Sequence, residues 1–348
     1  MKRIFAVLLC AVMVLAAVAC APAEKEYKLG MGVVVSMDSS AAANAQVDAT
    51  IASVVTDADG KIVVCRIDAI QNKMNVTDGA VEADKTFKTK MELGDDYNMA
   101  KFGTSMDWNG DGVVKEWYDQ AKAFENYVVG KTVAEVEAIE TKVVEGAGYV
   151  IAADEALLSA GCTIQVTDFI AAVAKACKDD QGMSFKTGAE FTLGVAAKST
   201  VDSATKAATA DADGTVAMYS DMACTVVADG KVIATLNDAI QPKITIDAAG
   251  EIVEKSFKGT KRELKEGYNM AAYGAPNVEG GTVKEWYVQS AAFSNHVLGM
   301  TATEIAGMET KEVNNHQISV DETLLSAGCT MQITGICAVV AQAANNAR

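Results

Sequence analysis

Apolar and polar residues alternate, or give way to β-branched runs, in the first part of the chain. Residues 32–36 and 47–55 have this pattern, which predicts strands. Residues 57–60 (Asp-Ala-Asp-Gly) have turn composition, and residues 61–67 resume the strand pattern. Residues 226–233 contain a similar series around Asp-Gly. We therefore expect a β-hairpin at both places.

Farther along, apolar residues recur every three or four positions, which is typical of helices with one buried face. The two stripes are Trp117, Ala121, Phe124 and Val128, and Trp286, Phe293 and Val297. Gly130 and Gly299 follow as C-cap glycines. Residues 132–135 and 301–304 both fit a capping box, so a second helix is predicted directly after each stripe.

After the second predicted helix of the first half, the sequence predicts a short strand at residues 164–166. It then predicts a helix that is capped by Thr167 and ends near Cys177. The order of elements is then hairpin, helices, strand and helix. This order predicts an α+β fold, in which helices pack on a small and mainly antiparallel sheet.

Four short segments occur twice, in the same order, about 170 residues apart. They are Asp-Ala-Ile-Gln (68–71 and 238–241), Tyr-Asn-Met (97–99 and 268–270), Lys-Glu-Trp-Tyr (115–118 and 284–287) and Leu-Leu-Ser-Ala-Gly-Cys-Thr (157–163 and 324–330). We interpret them as two tandem repeats of one domain. The predicted domains are residues 27–178 and 191–345, joined by a polar, glycine-containing linker at 179–190.

The N-terminus has the features of an export signal. Met-Lys-Arg precedes an apolar run from Ile4 to Val18, which is too short to span a bilayer. Residues 15–20 resemble a bacterial lipobox that ends at Cys20. The resemblance implies that residues 1–20 are a signal peptide, that Cys20 carries a lipid and that residues 21–26 are a tether. The protein is then exported and anchored at the outer face of the cytoplasmic membrane or at the cell surface. The alternative is an ordinary secretory signal with an incidental cysteine.

Composition excludes several classes of function. The chain has 30 basic and 46 acidic residues, a net charge of −16, so nucleic acid is a poor partner. The remaining cysteines contain no Cys-x-x-Cys pair, and there are two histidines. Zinc sites and hydrolase triads are therefore not expected. Cys162 and Cys329 are the cysteines that match between the repeats, and we expect small buried thiols rather than a disulfide framework.

Several motifs together resemble the FMN-binding domain family, which includes flavin-carrying subunits of Rnf-type and sodium-pumping redox complexes and related surface lipoproteins. These motifs are the start at residues 27–30, the Asp-Gly-Lys-Ile hairpin, the helix with tryptophan that ends in Gly-Lys-Thr, and the Gly-x-Thr loop before the last helix. The resemblance implies a bound FMN, which a flavin transferase links to a threonine in many members.

Carried onto this chain, that threonine falls on Thr163 and Thr330, and the glycine of the same loop on Gly161 and Gly328. Trp117 and Trp286 would stack on the flavin ring. The serine of the family motif is Ala160 or Ala327 here, and its acidic residue is a leucine. These departures argue against covalent attachment. The alternative reading is a tight corner beside a buried strand, with both tryptophans in the core.

Residues 107–112 match the first half of a calcium loop, with Asp107, Asn109 and Asp111 as candidate ligands. The twelfth position of such a loop holds Tyr118 instead of glutamate, and the second repeat lacks the motif. A solvated turn is the alternative.

The sequence thus supports two hypotheses. The first is a surface-anchored lipoprotein with FMN-binding-like domains, which carries electrons outside the cytoplasm, with a membrane redox partner or a flavin transferase as its protein partner. It would be an electron carrier or binding protein rather than a classical enzyme. The second is a non-flavin ligand-binding or structural envelope lipoprotein on the same fold.

Overall fold

The structure, a computed structural model, describes residues 23–82, 85, 87–102, 107, 113–146, 148–279 and 281–348. The predicted signal peptide, Cys20 and the candidate calcium ligands Asn109 and Asp111 lie outside these residues. Within them, no helix combines the length and the apolar character that crossing a bilayer requires.

Strands and helices alternate in two stretches of similar order. The strands are β1 (Lys25–Ser36), β2 (Asn44–Asp57), β3 (Ile62–Thr77), β4 (Ala80–Val81), β5 (Thr141–Val143), β6 (Val150–Ala152), β7 (Met183–Thr187), β8 (Thr192–Val201), β9 (Gly214–Ala228), β10 (Lys231–Ile240), β11 (Lys243–Ile246), β12 (Ile252–Ser256), β13 (Thr310–Val313) and β14 (His316–Ser319). The helices are α1 (Lys90–Leu93), α2 (Met99–Phe102), α3 (Trp117–Val128), α4 (Val133–Glu137), α5 (Glu155–Ser159), α6 (Thr167–Cys177), α7 (Lys261–Leu264), α8 (Met270–Tyr273), α9 (Trp286–His296), α10 (Ala302–Ala306), α11 (Glu322–Ser326) and α12 (Thr334–Asn345).

The strands form two large sheets and two small hairpins, and every pairing among the described residues is antiparallel. The first sheet has the order β4-β3-β2-β1-β7. In the second sheet, β9 lies between β8 and the β10–β11 segment, and β12 pairs with β11. Pro242 separates β10 from β11 because it has no N–H to donate in a ladder. The fold is mixed α and β with antiparallel sheets, as predicted.

The two large sheets pack face to face, and helices cover their outer faces. β2 illustrates the pattern: Val47, Ala49 and Ile51 face the other sheet, whereas Ala52 and Val54 lie under the helices of the first half. Side chains alternate between the faces of a strand, so a strand that is covered on both sides must be apolar throughout. This explains the long β-branched run in the sequence.

Helix α6 lies unusually close to β1. A Cβ atom added to Gly30 or Gly32 would come within 2.0 or 2.1 Å of the carbonyl oxygens of Ala176 and Ala172. Glycine is therefore required for the contact, and the same holds for Gly194 under α12, where a Cβ would lie 1.9 Å from a carbonyl oxygen.

Residues 179–190 were predicted to be a linker, and residues 21–26 a tether, but parts of both belong to the first sheet. β7 lies inside the predicted linker and pairs with residues 25–29 of β1. Neither segment could be recognised as a strand from its own pattern, because each is short and polar and gains its order by completing the edge of the sheet.

Two further local predictions differ from the structure. Residues 164–166 do not form a strand but a bend that leads into α6. The N-cap of α6 is Val166, which makes no side-chain hydrogen bond, and Thr167 is the first residue of the helix. The predicted capping boxes at Thr132 and Thr301 are both present.

A buried ion pair connects the two halves of the chain. The Nη2 atom of Arg262 lies 3.1 Å from Oδ2 of Asp179, and each side chain is 7% exposed. Asp179 also accepts a hydrogen bond from the Met31 N–H, and Arg262 donates to the carbonyl of Gln181. Removing one partner of a buried ion pair lowers the free energy of unfolding much more than removing one partner of a surface pair does.

We predict that Asp179→Asn lowers the free energy of unfolding by about 3 kcal/mol, because Arg262 stays buried without a counter-ion. Urea denaturation measures this change. The control is Asp180→Asn, which affects the adjacent exposed pair of Asp180 and Lys265 and should change little. Equal losses in the two variants would contradict the importance assigned to burial.

Candidate functional site

The Gly-Cys-Thr corner at residues 161–163 follows the last turn of α5. The N–H of Gly161 donates to the Leu158 carbonyl, and the N–H of Cys162 donates to the Leu157 carbonyl. Gly161 has φ +86°, a left-handed conformation that favours glycine. Gly328 occupies the same conformation after α11, with φ +92°. Both segments are therefore tight corners.

A buried glutamine of α3 takes up the hydrogen-bond donors of the first corner. Oε1 of Gln120 accepts from the N–H groups of Thr163 (2.8 Å) and Ile164 (3.0 Å) and from the Thr163 hydroxyl (3.3 Å). Its Nε2 donates to the Lys115 carbonyl. Thr163 is 2% exposed. A phosphate could not reach these N–H groups without displacing Gln120.

The second corner is held in the same manner. Oε1 of Gln289 accepts from the N–H groups of Thr330 (2.8 Å) and Met331 (2.9 Å), and its Nε2 donates to the Lys284 carbonyl. The Thr330 carbonyl accepts from Asn277. Thr330 is 9% exposed, so its hydroxyl is also largely withdrawn from solvent.

The duplicated Lys-Glu-Trp-Tyr segment joins the corner to the rest of the site. Nζ of Lys115 donates to the Ala160 carbonyl, with its side chain directly over Gly161. The Glu116 carboxylate accepts from the N–H groups of Met99 and Ala100 at the start of α2. In the second half, Lys284 and Glu285 make the equivalent bonds to residues 327 and 270–271. The repeated segments thus bind one another.

Trp117 is buried beneath a lysine. It is 3% exposed, its ring meets Phe169 edge to face, and Nζ of Lys90 lies 5.5 Å from its centroid. The same Nζ lies 4.8 Å from the centroid of Tyr97. Distances of this size allow cation–π attraction.

Trp286 is also 3% exposed and lies under Lys261. Nζ of Lys261 is 5.5 Å from the centroid of Trp286, 4.8 Å from that of Tyr268 and 4.7 Å from that of Tyr219. Burial lowers the pKa of Lys261 to about 8, against the opposing effect of nearby Asp221. Three aromatic rings therefore surround this ammonium group.

An open cleft of about 540 Å³ adjoins the first of these lysines. Lys90, Tyr97 and Trp117 line it, together with Ile164, which directly follows the corner threonine. Asp48 and Asp168 also line it. A larger cavity of about 650 Å³ adjoins the ion pair of Arg262 and Asp179, and its lining contains none of the corner residues 161–164. The smaller cleft is the better candidate, because it joins aromatic rings, charges and the corner.

The electrostatics of the cleft are mixed. Burial raises the pKa of Asp168, and the charge of Asp48 adds to this effect, whereas Lys90 opposes it. The cleft is thus lined by one ammonium group, that of Lys90, and by three carboxyl groups, those of Asp38, Asp48 and Asp168. Such a lining suits a ligand whose edge donates hydrogen bonds better than it suits a bare anion.

Asp68 positions Lys90 over this cleft. Its Oδ1 accepts from the N–H groups of Ala69 and Met91, the latter in α1, which begins with Lys90. Asp238 accepts from the Arg262 N–H in the corresponding place beside Lys261. The Asp-Ala-Ile-Gln segment therefore anchors the helix that carries the lysine.

The cysteines and the acidic residues near the corners have structural roles. Every cysteine in the described residues is free, and Cys162 and Cys329 are buried, as expected. Burial raises the pKa of Cys162 to about 12, so it is not a nucleophile near neutral pH. Asp154 and Asp321 are the N-caps of α5 and α11.

Of the candidate calcium ligands, Asp107 is the one that the structure describes. Within the described residues, no group of three or more His, Cys, Asp or Glu side chains could hold a metal ion. The calcium prediction at residues 107–112 thus lies largely outside the described chain.

The sequence alone did not single out Gln120, Lys90, Asp48 or Asp168. Two signals were present. Glutamine follows the tryptophan by three positions in both halves, and Thr-Lys-x-Glu-Leu occurs at residues 89–93 and 260–264. Both occurrences of the pentapeptide form capping boxes that begin the lysine-bearing helices α1 and α7.

Comparison with known proteins gives one partial relative. The chain is 32% identical over 137 residues to a protein named chlorophenol reductase from Desulfitobacterium hafniense. The match covers 34% of this chain, which spans about two fifths (39%) of the length of that relative. No protein-family model matches the chain, and no solved structure matches it.

We predict that Gln120→Ala lowers the free energy of unfolding by about 2–4 kcal/mol, because it leaves two buried N–H groups without an acceptor. Urea denaturation measures the loss. Gln165→Ala, at a nearby exposed position, is the control and should change little. A stability of the Gln120 variant equal to that of this control would contradict the assigned role.

A second prediction concerns pH. Burial raises the pKa of Asp68 from 3.8 to about 7. As the pH rises from 3.8 to about 7, Asp68 loses its proton in the unfolded chain but keeps it in the folded protein. The contribution of Asp68 to the free energy of unfolding therefore falls over this pH range. Asp68→Asn keeps an acceptor oxygen and should gain stability relative to wild type as the pH passes from below to above this range. Chemical denaturation at one pH below this range and one pH above it measures the change, and the exposed Asp59→Asn is the control. A pH-independent difference would refute it.

Proposed function

We propose that this protein is an exported, lipid-anchored electron carrier that holds a flavin, without a covalent bond, in the cleft beside Trp117. We further propose that the chain consists of two tandem copies of one domain related to the FMN-binding domain. The first copy includes all of β1 and also β7, which completes its sheet, and the second copy begins near residue 191. Cys20 would carry the lipid, and a membrane redox protein would be the partner.

The cleft carries this proposal. Its volume of about 540 Å³ lies within the range of small-molecule and cofactor sites. Tyr97 provides an aromatic contact, and Lys90 provides a cation beside the ring system. Trp117 is 3% exposed, so it supports Lys90 from below rather than stacking on the ligand as the sequence predicted. The cleft reaches Ile164, next to the threonine on which the family resemblance places the flavin phosphate. These residues fit a planar aromatic group, to which the flavin itself would supply the redox chemistry.

The equivalent contacts in the two halves support the duplication. Gln120 and Gln289 bind their corners through the same atoms, and Lys90 and Lys261 lie at the same distances from a tyrosine and a tryptophan. A duplicated sequence would preserve such a set of mutual contacts, whereas unrelated segments have no reason to share them.

The position of Thr163 supports non-covalent binding. A phosphoester would require its hydroxyl to be accessible, but the side chain is buried and bonded to Gln120. Together with the missing serine and acidic residue of the family motif, this argues against attachment by a flavin transferase. The relative named chlorophenol reductase adds support for a redox role, through a match to about a third of this chain.

One observation favours the second hypothesis, a non-flavin ligand-binding lipoprotein. Gln120 occupies the N–H groups that a phosphate would use, and Asp48 and Asp168 make the cleft acidic. A neutral ligand without phosphate meets no such conflict. The visible absorbance of protein purified from its native host separates the two hypotheses at once.

We predict that the purified protein binds FMN or riboflavin, and that the flavin is released on denaturation. Lys90→Met should weaken binding by about threefold to thirtyfold through the loss of a cation beside the ring. Quenching of flavin fluorescence measures the affinity. Lys61→Met, in an exposed turn, should bind as wild type does.

Flavin that stays attached after denaturation would contradict the non-covalent proposal. A protein with no affinity for either flavin would refute the flavin hypothesis and leave the ligand-binding alternative.

A further inference from the structure

Among the residues that the structure describes, Lys90 and Lys261 have matching aromatic surroundings with one difference. Each Nζ lies 4.8 Å from the centroid of a tyrosine and 5.5 Å from that of a tryptophan. Lys261 has a third ring, Tyr219, at 4.7 Å. Beside Lys90, the cleft of about 540 Å³ reaches both Tyr97 and Trp117. A cleft of about 350 Å³ in the second half reaches Lys261 and Tyr268, but neither Tyr219 nor Trp286 lines it.

The strand register identifies the residue that stands in the place of Tyr219. Ala49 lies opposite Ile70 in the first sheet, and Ser220 lies opposite Ile240 in the second. Both isoleucines belong to the duplicated Asp-Ala-Ile-Gln segment. The preceding residues along β2 and β9 are Asp48 and Tyr219. A short carboxylate in the first half thus replaces a phenol ring in the second.

Tyr219 is held as a bound phenol would be. Its hydroxyl donates to Oδ1 of Asp221 at 3.0 Å and accepts from Nζ of Lys261 at 3.3 Å. Asp221 fits there because residue 335 is a glycine: a Cβ at that position would lie 2.2 Å from Oδ2 of Asp221. The matching position after Thr167 holds Asp168, which lines the open cleft.

The geometry points to Tyr219 as a built-in substitute for a ligand. In the second half, its ring fills the place that an aromatic ligand takes over Lys90 in the first half. The ligand is accordingly an aromatic ring with a hydrogen-bond donor on its edge, and Asp48 and Asp168 are the acceptors. The protein then has one ligand site, in the first half, although the lysine, tyrosine and tryptophan are present in both.

This inference rests on the proposed function in one respect, namely that the ligand ring is a flavin. A flavin meets the requirement, because its pyrimidine edge carries an N–H donor. The aromatic requirement itself comes from Tyr219 and holds for any ring of that chemistry. Binding of a flavin and binding of a simple phenol therefore test separate parts of the argument.

The experiment uses the full-length protein with two probes, FMN and p-cresol, the latter being the free side chain of tyrosine. Flavin fluorescence gives the affinity and stoichiometry for FMN, and ligand-observed NMR gives binding of p-cresol. Wild type should bind one FMN per chain, and p-cresol should compete with it. Asp48→Tyr should weaken both by at least about tenfold, because its ring fills the cleft.

Asp59→Tyr introduces the same residue at an exposed turn and should bind both probes as wild type does. Tyr219→Ala removes the substitute and should raise the number of p-cresol sites from one to two. Tyr219→Ala keeps the inference testable if Asp48→Tyr fails to fold, which circular dichroism would reveal.

The outcomes separate the two proposals. Binding of p-cresol that Asp48→Tyr abolishes, without any binding of FMN, supports the inference and refutes the flavin. FMN binding that survives in a folded Asp48→Tyr variant, or two FMN sites in wild type, overturns the inference and leaves the flavin proposal standing. A wild-type protein that binds neither probe overturns both.

Discussion

The central strands of both large sheets are apolar on both faces, and the rest of the structure depends on this constraint. A sheet of this kind that faced water on either side would expose an apolar surface far larger than soluble proteins carry. Each half therefore needs the sheet of the other half as well as its own helices. The close contact of α6 on β1, which requires Gly30 and Gly32, and the buried pair of Asp179 and Arg262 both follow from this stacking of layers.

Local patterns predicted most of the elements but not their assembly. The hairpins, the tryptophan helices and the capping boxes at Thr132 and Thr301 follow from interactions within a few residues, so the sequence contains them directly. β7 could not be read from its own residues, since it is a strand only because β1 offers an unpaired edge. The packing of the two sheets could not be predicted either, because contacts between residues distant in sequence leave no periodic pattern.

The candidate site could also be predicted only in part from the sequence. The duplicated segments were visible at once, but their structural role was not, because it consists of hydrogen bonds between segments that are distant in sequence. Glu116 holds α2, Asp68 holds α1 and Gln120 holds the corner. The residues that differ between the halves, Asp48 against Tyr219 and Asp168 against Gly335, distinguish an open cleft from a filled one. Where two halves of a chain share the same short motifs, differences of this kind are more informative about ligands than identities are.

The length of β1 sets the distance between the proposed anchor and the cleft. The strand begins at Lys25, five residues after Cys20, and ends at Ser36, which lines the cleft. Twelve residues of strand span about 36 Å at roughly 3.3 Å per residue. If the strand stands upright on the membrane, the proposed redox partner would need a domain that projects above the lipid surface to reach the cleft.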